Sequence, residues 1–183
     1  MIKFLKSLFK PEPYKKVLEI YADSSWKDGK TAFSYANNHN KIFHVSELFI
    51  CDSSAVAEVY SVQYALSNCM RIALENDYTH IHLYTDLKIL ERLNTLHEKP
   101  IRKQRTCLFN SIFNTIDFHI NLYHNDINVT VIYSDHKKEP HLRLVDLLAY
   151  RQIQGIALTK YKQDVFKELS NWKVKEFVFE TFD

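Results

Sequence analysis

At 183 residues, with 46% hydrophobic and 14% aromatic content, the chain has the size of one globular domain and is neither disordered nor collagen-like. Two glycines, Gly29 and Gly155, exclude a glycine-rich phosphate loop, and three scattered cysteines, Cys51, Cys69 and Cys107, read as free thiols in a reducing cytoplasm, neither a disulfide frame nor a zinc site. A net charge of +2 neither demands nor excludes nucleic acid.

Met1–Lys10 alternates lysine with apolar residues and lacks the continuous apolar run of a signal peptide. It reads as a short basic amphipathic helix touching a protein, membrane surface or nucleic acid, or else as a frayed tail. No run approaches the ~20 apolar residues of a membrane span. Pro11-Glu12-Pro13 breaks any helix, so residues 1–16 form an N-terminal extension.

Val17–Asp23 predicts a strand with Leu18, Ile20 and Ala22 on one face and Glu19, Tyr21 and Asp23 on the other. A turn at Lys27–Lys30, a strand at Thr31–Asn37, a turn at Asn37–Asn40 and a strand at Lys41–Ile50 follow, which the short connections make an antiparallel meander. Ser53 and Ser54 offer caps to a helix from Ala55 to Asn76, whose Val59, Val62, Leu66, Cys69, Met70 and Ala73 form an apolar stripe.

Thr79–Thr85 predicts a fourth strand, Asp86–His97 a helix, Lys99–Arg105 a basic loop, and Thr106–His124 a long helix. Ile127–Tyr133 is the fifth strand and Leu142–Leu158 an apolar helix. In the tail, residues 161–183, Val174–Phe179 fits an extra strand. The order β-β-β-α-β-α-α-β-α implies an α/β fold: a mixed five-stranded sheet, three strands antiparallel and then parallel ones, flanked by helices.

Four carboxylates stand out. Taken singly, Asp23 fits a strand-end aspartate, Glu58 a first-turn glutamate favoured by the helix dipole, and Asp86 an N-cap. Asp146, inside a helix among Leu142, Leu144, Val145, Leu147 and Leu148, is poor for stability and suggests a site. Together they point to one end of the sheet. Carboxylates converging there repel unless cations neutralise them, and hard oxygen ligands suit Mg²⁺, with Mn²⁺ as a substitute. Two such ions make an in-line phosphodiester-hydrolysis site.

This ordered set resembles the ribonuclease H family, type 1. The matching segments are Ile20-Tyr-Ala-Asp23-Ser-Ser, Ala57-Glu58-Val-Tyr, Leu83-Tyr-Thr-Asp86 and Leu144-Val-Asp146-Leu-Leu-Ala, over roughly Val17 to Gln154. His136, ten residues before Asp146, matches the family's mobile histidine. The resemblance implies a ribonuclease H-like catalytic domain, expected over residues 17–160; residues 161–183 are expected to be a C-terminal extension packed on the same domain. It also implies a cytoplasmic endonuclease cutting the RNA strand of RNA/DNA hybrids and leaving 5′-phosphate and 3′-hydroxyl ends. Asp23, Glu58 and Asp86 would hold one ion, Asp23 and Asp146 a second, with His136 assisting proton transfer or product release. His141 is a rival for that role at a spacing the family does not use.

The chain departs from the family pattern at residues expected to touch nucleic acid. Ser24-Ser25 stands where Gly-Ser is usual, Ser54 and Ala55 replace asparagines, and Lys88 replaces a glutamine. Lys99, Arg102, Lys103 and Arg105 fit a phosphate-gripping handle or an ordinary solvated loop. Two alternatives therefore stand beside hybrid cleavage: a nuclease of this fold with another substrate, and a catalytically silent nucleic-acid-binding domain. His80 and His82 suit an exposed strand face better than a metal pair, and Trp26 and Trp172 suit burial better than base stacking.

Overall fold

The computed structural model describes residues 15–94, 107–135, 137–155 and 178–181. In chain order these form β1 (Val17–Lys27), β2 (Lys30–Asn37), β3 (Ile42–Val45), β4 (Phe49–Ile50), α1 (Ser54–Glu75), β5 (His80–Thr85), a 3₁₀ helix (Lys88–Asn94), α2 (Cys107–Leu122), β6 (Asn128–Tyr133), α3 (Pro140–Ile153) and β7 (Val178–Thr181).

The β1–β2 hairpin closes on Asp28-Gly29, both at positive φ (51° and 80°), which a two-residue turn between right-twisted strands requires. The turn into β3 is organised by buried Asn37, whose Oδ1 accepts from the backbone N–H of His39 and Asn40. The predicted strand Lys41–Ile50 is interrupted. Ser46 turns its N–H to the Phe33 carbonyl and its hydroxyl accepts from the Phe33 N–H, ending β3, and β4 then pairs separately with β2.

The sheet runs β6-β5-β1-β2-β3-β7, with β4 also on β2. β1, β2 and β3 are antiparallel, whereas β5 is parallel to β1 and β6 parallel to β5. The five expected strands thus take the expected order, the third of them divided into β3 and β4, and a strand is present in the tail as predicted. β7 lies parallel to β3 and overlaps the strand predicted in the tail at Val178 and Phe179; positions 174–177 of that prediction lie outside the described residues.

Helices cover both faces. Leu18, Ile20 and Ala22 pack with Val59, Val62 and Leu66 of α1 and Phe109, Ile112 and Ile116 of α2. Tyr21, Ala36 and Phe43 pack with Leu142, Val145 and Leu148 of α3. Ser53 caps α1 by accepting from the Val56 N–H, and Asp77, left-handed at φ 55°, ends it with the Tyr78 N–H returned to the Ala73 carbonyl.

The helix expected over Asp86–His97 is, within the described residues, the short 3₁₀ helix. Asn94 explains its position. Its amide donates to the Val131 carbonyl (2.6 Å) and accepts from the Val131 N–H (2.7 Å), as a neighbouring strand would. α3 begins two residues earlier than predicted, with Glu139 as cap and Pro140 in the first turn, and ends before Gly155 at φ 64°. No helix among the described residues is long and apolar enough to cross a membrane.

A candidate metal centre between two diverging strands

Parallel pairing between β1 and β5 ends at Tyr21↔Tyr84, while β1 continues along β2 to Lys27↔Lys30. Beyond Tyr21 and Tyr84 the space between the two strands is free for side chains. Asp23 lies two residues past that last pair on one strand and Asp86 two residues past it on the other. Glu58 comes from the second turn of α1 on one face and Asp146 from α3 on the opposite face.

Asp23, Glu58 and Asp86 each offer a carboxylate oxygen, and these oxygens lie within 4.8 Å of one another. No other set of three histidine, cysteine or carboxylate groups among the described residues meets that spacing. His80 and His82 therefore remain a strand pair. Asp146 is half-buried and stands outside this trio, yet near enough to Asp23 to act on its charge.

The environment opposes ionisation. Asp23 is only 2% exposed, and burial, then the charges of Glu58, Asp86 and Asp146, hold its carboxyl well above the usual range. Glu58 is pushed up to about 8 by burial and by Asp86, against the pull of Ser24 and Asp23. One Asp23 oxygen accepts from the Ser24 N–H at 2.7 Å. Glu58 Oε2 and Ser24 Oγ are buried without completing a hydrogen bond. A divalent cation answers both features, because it neutralises crowded carboxylates and engages an orphaned oxygen.

Second contacts fix α3 against this centre. Ser34, the register partner of Asp23, donates its hydroxyl to the Val145 carbonyl at 2.6 Å, beside Asp146. Tyr21 stacks between Tyr84 (4.9 Å) and His141 (4.6 Å), and His141 Nδ1 lies 3.0 Å from Glu139 Oε1. His141 is thus engaged in docking the start of α3. Sequence reading missed Ser34; its signal was a small polar residue between Phe33 and Tyr35 on a buried strand.

The remaining expected site residues divide by position. Ser24 is buried at 6% exposure, Ser25 is half-buried opposite Ala32, and Ser54 is exposed one turn before Glu58. Lys88 is exposed, its ammonium 5.9 Å from the Tyr133 ring. His136, Lys99, Arg102, Lys103, Arg105, Trp172 and the segment Met1–Lys10 lie outside the described residues. Trp26, expected to be buried, is 39% exposed, because β1 extends past the sheet core and the indole N–H reaches out to the Cys51 carbonyl.

No protein-family model matches the sequence, and no curated protein matches it. Among solved structures, the chain is similar to LC11-RNase H1, isolated from compost by a metagenomic approach. That structure aligns with a TM-score of 0.56 and 16% identity over 76% of this chain and 97% of that one. LC11-RNase H1 in complex with an RNA/DNA hybrid gives 0.52 and 11% identity over 72% of this chain and 92% of that one. The chain has the ribonuclease H-like fold: a mixed sheet with helices on both faces.

Proposed function

We propose that this protein is a divalent-metal-dependent endonuclease of the ribonuclease H type, hydrolysing the RNA strand of RNA/DNA hybrids to leave 5′-phosphate and 3′-hydroxyl ends. The observation that carries the reading is the trio Asp23, Glu58 and Asp86, with ligand oxygens within 4.8 Å in the opening between β1 and β5. A purely structural cluster has no reason to keep three carboxylates so close. The hybrid held by a solved protein of the same fold supports the choice of substrate.

In this reading Asp23, Glu58 and Asp86 hold one ion, and Asp23 with Asp146 a second, Mg²⁺ or Mn²⁺ in each case. The ions supply Lewis acidity toward water and charge neutralisation at the leaving 3′ oxygen. Asp23 serves both positions because β1 and β2 grip its backbone on the side away from the opening. His136 moves a proton at the leaving group or speeds product release. Ser25, Ser54 and Lys88, near the three carboxylates in sequence, contact the nucleic acid, and Lys99, Arg102, Lys103 and Arg105 grip phosphates. Catalysis resides in residues 17–160, in the cytoplasm, with residues 1–16 and 161–183 as extensions.

The test is cleavage of end-labelled RNA/DNA hybrid, double-stranded RNA, single strands and duplex DNA with Mg²⁺ or Mn²⁺, beside Asp86→Asn. Hybrid-selective cutting, reduced at least about a hundredfold in the variant, is expected for a lost metal ligand. Cutting of another substrate moves the function within the fold. No cutting of any substrate refutes the enzyme reading in favour of a binding domain.

A further inference from the structure

α1 and α2 cover the same face of the sheet, and a groove lies between them. It holds about 250 Å³ and is lined by Leu66, Met70 and Leu74 of α1, by His119 and Leu122 of α2, and by Tyr123. Leu74 is 42% exposed, Leu122 54%, and Phe118, one turn before Leu122, 61%. Large apolar side chains gathered along an open groove mark a surface that another element covers. Its polar groups are engaged with one another: Arg71 lies 3.9 Å from Glu75, and Ser67 Oγ 3.5 Å from His119 Nδ1. Lys16 places the chain that precedes β1 at one end of this groove. Its ammonium donates to the Asn76 carbonyl at the end of α1 (2.6 Å), and its own carbonyl accepts from the N–H of Thr79 and His80. Leu74 is only two residues before Asn76. The last turn of α1 carries Glu75 and no basic residue, which leaves the negative end of the helix open to further cations.

We propose that the segment Met1–Lys10 of this same chain occupies the groove between α1 and α2 as an amphipathic helix, apolar side inward. At helical spacing Lys3, Lys6, Ser7 and Lys10 share one side, at i, i+3, i+4 and i+7. Ile2, Phe4, Leu5, Leu8 and Phe9 fall on the other, the pattern of a helix that lays its apolar face into a groove. The lengths agree. Residues 2–9 make a helix of about 12 Å, and α1 rises about 10 Å from Ser67 to Leu74. The four residues 11–14 can span about 13 Å, enough to turn from Lys15 to the end of the groove. Charge agrees too, because Lys10, nearest the tether, comes beside Glu75 and the negative end of α1. As part of the same chain the segment has an effective concentration in the millimolar range, so a shallow apolar contact suffices to hold it. Docking here is independent of any metal chemistry at Glu58, which lies near the other end of α1.

The test uses the full chain. Phe4 is replaced by the photoreactive p-benzoylphenylalanine, and an equal mixture of ¹⁵N-labelled and unlabelled protein is irradiated and its cross-linked peptides identified by mass spectrometry. Adducts within single chains, joining position 4 to residues 66–74 or 118–123, are the expected result. Adducts elsewhere on the chain, or none, overturn the inference. Adducts joining heavy to light chains overturn it in favour of a second copy as the occupant. Capture by phosphatidylserine vesicles, with no adduct in their absence, overturns it in favour of a membrane surface. Melting curves of Leu8→Gln, Leu122→Gln and the double variant supply a second measurement. Each single change is expected to lower the melting temperature by about 3–6 °C, the loss of roughly one buried leucine contact in a domain of this size. The double variant is expected to fall no more than about 1 °C below the lower single, because the two side chains share one contact. Leu8→Gln melting level with the wild type, or two losses that simply add, overturns the inference.

Discussion

Ionisation of Glu58 is expected to cost the ion-free protein stability as pH rises toward 8, and Glu58→Gln tests this most directly. An unfolded glutamate titrates near its ordinary 4.5, whereas burial and Asp86 push Glu58 up to about 8 in the fold. Below pH 4.5 both states carry the proton and the group contributes its full share. Between 4.5 and 8 the unfolded chain releases the proton while the folded one keeps it, so stability falls as pH rises. Above about 8 this group removes no more. A gap of about three and a half pH units, at about 1.4 kcal/mol each, amounts to roughly 5 kcal/mol. Ionisation draws water toward the partly buried side chain, so about half of that is the expected loss, ~5–10 °C in melting temperature for a domain of this size. Glu58→Gln keeps the neutral shape and abolishes the proton exchange. In EDTA at pH 8 the variant is expected to melt higher than wild type by that amount, and at pH 4.5 to match it. Mn²⁺ at pH 8 raises the wild type and leaves the variant nearly unmoved, because binding requires the deprotonated ligand. Melting curves at pH 4.5, 6.5 and 8, with EDTA or Mn²⁺, test all of this. Parallel pH profiles for the two proteins in EDTA would refute the argument.

Two further substitutions probe what holds the centre in place. Ser34→Ala removes the hydroxyl bond to the Val145 carbonyl, which keeps its helical partner, and is expected to destabilise by about 0.5–1.5 kcal/mol, read by urea denaturation. It should lower ion affinity at the same time, since Asp146 follows that carbonyl. Asn94→Ala removes both bonds to the Val131 backbone and is expected to destabilise by about 1–3 kcal/mol, with faster hydrogen exchange at the Val131 amide.

Much of this architecture was legible in the residues, for identifiable reasons. Period-two alternation in Val17–Asp23 gave both the strand and its two faces. Asp-Gly between strands gave the hairpin turn, and Ser53 before an apolar stripe of period 3.6 gave the start of α1. Less legible was whatever depends on partners distant in the chain. The break between β3 and β4 comes from the Ser46 hydroxyl and N–H meeting Phe33, thirteen residues away. Helical spacing over Asp86–His97 did not foresee Asn94 binding the edge of β6 thirty-seven residues on. At the site, the family pattern brought the four carboxylates to notice. It did not convey that Ser24 is buried with Glu58, because nothing local distinguishes a buried serine from one that greets a phosphate.

The unequal ends of β1 and β5 imply unequal stiffness among the acidic groups. Asp23 sits in the middle of a ladder that β2 continues for four more residue pairs, so its backbone is gripped in register on one side throughout. Asp86 follows the last residue of β5 in a bend, and Glu58 reaches in on a long side chain. Were the proposed ion to bind, Asp23 would be the fixed jaw, and Asp86 and Glu58 the ones with freedom to travel.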